Sequence, residues 1–187
     1  MINPAPDRPL SEFPGSHGTS RSRGTHIKRF GFTVSKERVR RGKGVYLWKK
    51  CRNWTILATG WYLQKESRGE FSRDPDARGL VVYAIARVPE DRYIDLSEQE
   101  ALDAIDELAD QAHIDKFDRD QIAAVYERFI LETEKKLGNS IDLYETEVSP
   151  PAQEFCPEYS IRLLGLPKCY CVRKPKVLAI TDTMEIA

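Results

Sequence analysis

Residues 80–88, LVVYAIARV, leave the chain the least choice of conformation. Apolar, β-branched and aromatic residues run unbroken up to Pro89, which cannot extend a hydrogen-bonded ladder, so this segment is the clearest strand in the sequence. Weaker signals order the rest around it. Residues 21–30 predict a short helix closed by Gly31, and Val45-Tyr46-Leu47-Trp48 a short strand after the Gly42-Lys43-Gly44 turn. Asn53 is placed to cap a helix in which Trp54, Leu57, Ala58, Trp61 and Tyr62 share one face. The charged stretch 65–79, rich in Gly, Pro and Asp, is expected to be a loop. A second short strand follows at 93–96. Ser97 and Glu100 then have the spacing of a capping box for a helix over 98–112, and another helix over 119–137 ends at Gly138. Strands are expected near 159–164, 168–172 and 177–180. Residues 1–15 hold Pro4, Pro6, Pro9 and Pro14 and are expected to form a flexible arm, leaving 16–187 as a single domain. The order of elements predicts an α+β fold in which helices flank a bent sheet.

At 187 residues the chain can bury a sizeable core without disulfides. No apolar run approaches the roughly 18 residues of a membrane helix, and MINPAPDRPLSEFPG lacks the apolar centre of a secretion signal. Cys51, Cys156, Cys169 and Cys171 match no zinc or redox spacing, so no metal is expected. A cytosolic protein with reduced thiols is the expectation. The formal net charge is zero, yet residues 1–80 carry 17 Lys and Arg against 7 Asp and Glu, while residues 90–147 carry 6 against 18. A basic half suits a polyanionic partner, although the two halves also attract each other within one fold.

Three segments can carry chemistry: His17-Gly18-Thr19-Ser20, Arg41-Gly42-Lys43-Gly44-Val45-Tyr46-Leu47-Trp48, and Lys168-Cys169-Tyr170-Cys171-Val172-Arg173. A His-Gly step at a strand end sets an imidazole beside an unhindered amide and carbonyl, a combination able to grip a planar carboxamide. A Gly-Lys-Gly turn lets backbone pass close to a ligand before presenting Tyr46 as a stacking face. Taken alone, each of these two motifs is more often an ordinary turn.

In their order and spacing these segments, with Ile27 and Gly31-Phe32 between them, resemble the NAD-binding core of the ADP-ribosyltransferase fold. The branch is the diphtheria-toxin and poly(ADP-ribose) polymerase one, with a His-Tyr-Glu signature on three strands. The resemblance covers residues 16–96 well and 160–180 loosely, and it makes the helices of 98–137 an insertion. It implies a split, bent, mainly antiparallel sheet. It also implies that His17 meets ribose hydroxyls of NAD, that the Gly18 backbone holds the carboxamide, and that Thr19 or Ser20 supports them. Tyr46 would stack on nicotinamide beside Gly44, with Trp61 or Tyr62 closing the sandwich, and Arg38, Arg40 and Arg41 would meet the pyrophosphate. The third motif departs from the pattern, because Cys169 stands where the family has its glutamate. A thiol with an ordinary pKa of about 8.5 is a poor substitute for that carboxylate. Glu154 or Glu158, and after them Glu145 and Glu147, are the candidates to supply the anion.

The function so implied is cleavage of NAD at its nicotinamide–ribose bond and transfer of ADP-ribose to a macromolecule. Nucleic acid is favoured over protein as acceptor by the basic half. A small stand-alone domain of this type suits an intracellular toxin or defence effector, with a neutralising antitoxin as a possible partner. Two alternatives stay open: a nucleotide-binding module that has lost catalysis, and an enzyme like the RNA 2′-phosphotransferases, which share an HGT element.

Overall fold

The computed structural model describes residues 9–34 and 41–187. Its elements run β1 (Leu10–Ser20), α1 (Arg21–Phe30), β2 (Val45–Lys49), α2 (Trp54–Ser67), β3 (Gly79–Pro89), β4 (Tyr93–Asp95), α3 (Gln99–Gln111), α4 (Arg119–Leu137), β5 (Leu143–Glu147), the short α5 (Ile161–Leu164), β6 (Lys168–Val172) and β7 (Leu178–Glu185). The strands form one seven-stranded sheet in the order β4-β5-β6-β2-β1-β3-β7. Among the described residues only the β4–β5 pair is parallel. The fold is therefore α+β, as the order of elements predicts.

Strand β3 is the spine of one half. Its residues pair with β1 along the whole length from Leu10↔Pro89 to Ser20↔Gly79, and its other edge carries β7. The ladder from β1 to β2 is by contrast confined to Gly15↔Lys49 and Ser16↔Trp48. Beyond Ser16 the two strands part. On one face α2 packs against Trp48, Val81 and Cys169, and α3 and α4 cover Tyr144 and Cys171. The other face curls on itself: the Phe13 ring of β1 stacks on Tyr93 of β4 at 4.6 Å, although three strands separate them in the sheet. Its apolar core joins Val82, Ala84, Leu143 and Tyr170, with Ile27 and Phe32 from α1 and its exit closing one end.

Several expectations change. Residues 10–15 belong to β1 rather than to an arm, while residues 1–8 lie outside the described residues. Pro14 fits this strand because its carbonyl accepts from Lys50 N at 2.9 Å, on the β2 side where the ladder ends. Its nitrogen faces the same way, so the missing N–H removes no bond to β3. The expected strand at 159–164 is instead the four-residue helix α5, ended by Gly165 at φ 74°, and the place beside β6 is taken by β5, which the sequence did not announce. The capping box at Ser97 does not form: its hydroxyl and its N–H both donate to Asp95, at 2.5 and 2.8 Å, and the cap of α3 is Glu98. Helix α2 continues to Ser67, so the expected loop starts later, and Asn53 caps it without a side-chain bond. Helices α1 and α4 have the predicted bounds, with Gly31 and Gly138 both at positive φ.

Asp142 gives the sheet a pH dependence. It is 2% exposed and meets Lys174 at 2.6 Å, Ser140 at 3.1 Å and Arg92 at 3.3 Å. Burial, the largest single influence, pushes its pKa up, but Lys174, Ser140 and Arg92 together outweigh it and hold the carboxyl below its ordinary 3.8. The unfolded chain therefore takes up this proton first, and the stability Asp142 contributes above pH 3.8 is lost as pH falls toward its folded value. Asp142→Asn should cost about 2 kcal/mol at pH 7. Urea melts of variant and parent should draw together as pH falls below 3.8; a gap that does not narrow in acid refutes the assignment.

Candidate functional site

The candidate site lies where β1 and β2 separate. Because the ladder stops at Ser16, residues of both sheet faces border one opening. A small inner cavity of about 80 Å³ is lined by His17, Gly18, Tyr46, Leu47, Trp48, Trp61, Val148, Ser149 and Cys169. An outer cavity of about 390 Å³ shares His17, Tyr46 and Trp61 with it and continues past Thr19, Gly44, Phe32 and α1. Together they reach the size of an ordinary small-molecule site.

His17 bridges the gap between the parted strands. Its Nδ1 lies 3.0 Å from the Tyr46 carbonyl. A carbonyl can only accept, so Nδ1 carries the proton. The Phe32 ring meets the imidazole edge-on at 5.6 Å. Burial lowers the imidazole pKa below its ordinary 6.5, against the opposing pull of the Tyr46 carbonyl. At neutral pH the ring is thus uncharged with Nε2 as a free acceptor, the state needed to receive a hydroxyl proton. Tyr46 is fixed at its far end, where its hydroxyl donates to the Gly42 carbonyl at 2.8 Å. Burial first, then the neighbouring Cys171 and Tyr144, raise its pKa, so it remains a neutral phenol. Trp61 lines both cavities from α2, set edge-on to Trp48 at 6.4 Å.

Gly18 faces α2. A Cβ there would overlap the Ala58 carbonyl oxygen and stand 2.8 Å from its carbon, so this glycine is required for α2 to reach the sheet. Gly44 has a similar constraint, because a side chain would run into Cys171 Sγ. Thr19 lines the outer cavity. Ser20 turns away: it caps α1 through Arg23 N and donates to Asp74.

Other candidates are placed elsewhere. Tyr62 packs between α2 and the sheet beside Gly18 and Gly79, but it lines neither cavity: its ring stacks on Phe71 at 5.3 Å and its hydroxyl lies within hydrogen-bond reach of Glu66 and the Ala77 carbonyl. Arg41 lies over the Tyr126 ring of α4 at 4.7 Å and lines a different cavity, between α3 and α4. Arg38 and Arg40 fall outside the described residues. Cys169 does line the inner cavity, and its thiol is pushed well above the ordinary 9.0 by burial and by Cys171, so it carries no charge. Glu154 and Glu158 are exposed and are absent from both cavity linings. Glu145 is fully buried, but its register opposite Tyr170 turns it to the face away from Cys169, whose partner on β5 is Thr146. Glu147 lies opposite Lys168, in the same phase as Glu145. Among the described residues, then, no carboxylate lines either cavity.

Val148 and Ser149 were missed by the sequence reading because β5 was missed: LYETE alternates, but its two glutamates read as solvent-facing. Arg23 and His26 were also missed, although their i,i+3 spacing on α1 sets both on the rim of the outer cavity. Among the described residues no group of three or more His, Cys, Asp and Glu is placed to hold a metal ion. No helix among them is long and apolar enough to cross a membrane. Comparison of the sequence with models of known protein families and with curated proteins finds no match to either.

Proposed function

We propose that the chain binds NAD in the opening between β1 and β2 and transfers its ADP-ribose to a macromolecular acceptor. The observation that carries this reading is the joint placement of His17 and Tyr46, the first two residues of the His-Tyr-Glu pattern, on one cavity with Trp61 across from them. Nicotinamide would lie against Tyr46 and Trp61, and His17 Nε2 would accept from a ribose hydroxyl. In the reaction the C1′–nitrogen bond breaks with its electron pair leaving on nicotinamide. The acceptor's nucleophilic atom forms the new bond to C1′ and gives up its proton. Developing positive charge on the ribose normally calls for a nearby anion, and the neutral Cys169 supplies none. That same thiol favours a second reading, a module that binds NAD and does not cleave it.

Thermal stabilisation by NAD and release of free nicotinamide separate the two. NAD should raise the melting temperature, and Tyr46→Ala should reduce that shift by removing a stacking face worth about 1 kcal/mol. His17→Ala should abolish nicotinamide release. The stabilisation should persist at pH 6.5, because the folded imidazole protonates only at lower pH, and fade in acid as Nε2 gains a proton. No stabilisation at millimolar NAD would sink both readings; stabilisation without nicotinamide release would leave the binding module.

A further inference from the structure

We infer that helix α1 is a docking surface for single-stranded nucleic acid, leading that strand to the outer cavity; its role as acceptor rests on the function proposed above, but its binding does not. The helix, RSRGTHIKRF, contains no carboxylate. Two of its cations are already paired, Arg21 with Glu185 at 3.0 Å and Arg23 with Asp74 at 2.8 Å. Among the described residues Lys28 and Arg29 have no carboxylate partner: Lys28 reaches the Thr183 hydroxyl, at 3.4 Å, and the Arg29 guanidinium lies over the Phe30 ring at 4.9 Å. Phe30 is 62% exposed, so its ring face is open to a stacking partner. The His26 ring leans against it at 4.7 Å and 43°.

The helix end is thus a cluster of planar groups, imidazole, phenyl and guanidinium, next to an ammonium that meets no carboxylate among the described residues. Bases stack on aromatic rings and on arginine planes, and phosphates pair with free cations. An acidic protein segment would satisfy the charges but not the planes, and a duplex hides its base faces, so a single strand fits best. The patch is continuous with the candidate site, because His26, which touches Phe30, also lines the outer cavity.

The test is fluorescence anisotropy of the full chain with labelled oligo(U) and oligo(dT), across a salt series and without NAD. Phe30→Ala should weaken binding roughly tenfold with the salt dependence unchanged, as expected for a lost stacking plane. The pair Lys28→Ala and Arg29→Ala should weaken it and reduce the log–log salt slope by roughly 1.4, at about 0.7 per phosphate contact. All three positions are exposed, so melting temperatures should hold, and stabilisation by NAD should be retained in each variant. Absence of binding to either oligonucleotide at low salt, or equal binding by parent and variants, overturns the inference while leaving the NAD reading intact. Tighter capture of poly-glutamate than of the oligonucleotides, lost in the same variants, overturns it in favour of an acidic protein partner. Loss of NAD stabilisation in the parent, with oligonucleotide binding preserved, removes the acceptor role and keeps the docking surface.

Discussion

Gly18→Ala is expected to destabilise the fold by about 3 kcal/mol, the upper end of what overpacking costs. The reason is that the new methyl meets backbone. The Ala58 carbonyl oxygen and carbon, and behind them Tyr62 Cβ at 3.3 Å, cannot swing aside as a flexible side chain would. Relief requires α2 to lift from β1, and Trp61, one turn along α2 from Ala58, would move with it. A urea melt reports the stability loss, and NAD-induced stabilisation reports the displaced tryptophan. A variant within 1 kcal/mol of the parent would show that α2 is not seated on this glycine. For Gly24, whose added Cβ would meet only the Leu80 side chain, the penalty should be smaller.

Removal of the Glu145 carboxylate should have a comparable effect for an electrostatic reason. It is wholly buried and receives Lys49 at 2.7 Å, Lys168 at 3.2 Å and the Tyr93 hydroxyl at 3.0 Å. Breaking a buried ion pair costs about 3–5 kcal/mol, and because both lysine side chains are more than a third exposed, Glu145→Ala should fall near the lower figure. The lysines can then turn to water, whereas Tyr93 loses the partner of a hydroxyl held against Phe13. The double variant with Lys168→Met tests coupling: the two losses should be clearly less than additive. If Glu145 were instead the missing catalytic anion, Glu145→Gln would abolish nicotinamide release at nearly unchanged stability, an outcome its register on the opposite face from Cys169 argues against.

What the sequence made legible follows from how local each signal is. Helices α1 and α4 announce themselves through their terminal glycines, and β3 through an apolar run that no other element could accommodate. The signals that failed were those settled by distant partners. Ser97 has a capping spacing, yet Asp95 two residues back competes for its hydroxyl. Strand β5 looks too acidic for a sheet interior until Lys49, some 96 positions away, neutralises Glu145. Pro14 argues against a strand until its nitrogen, which has no hydrogen to donate, is placed on the β2 side beyond the last pair of the β1–β2 ladder, where no bond to β3 is lost. At the site, His17, Tyr46 and Trp61 were found from the motifs. Their meeting depends on a gap between strands that no local pattern encodes. Tyr62 and Trp61 are neighbours in sequence, yet Tyr62 runs toward Gly79 and Phe71 while Trp61 lines the cavity, a division set by how α2 sits on the sheet.

The strand order has a mechanical consequence. Among the described residues, the backbone ladder joins β4 and β5 to β2, β1, β3 and β7 solely through β6, a seam five residues wide. That seam is stitched from segments far apart in the chain, since Val45 pairs with Val172. It forms only after a long loop has closed, against an entropy that no nearby contact offsets. Cys169 and Cys171 both sit in it, uncharged and out of water. Both sulfurs lie on the helix-covered face, so a bulky adduct on Cys169 would lift α2, and one on Cys171 would lift α3 and α4, from the sheet at that seam.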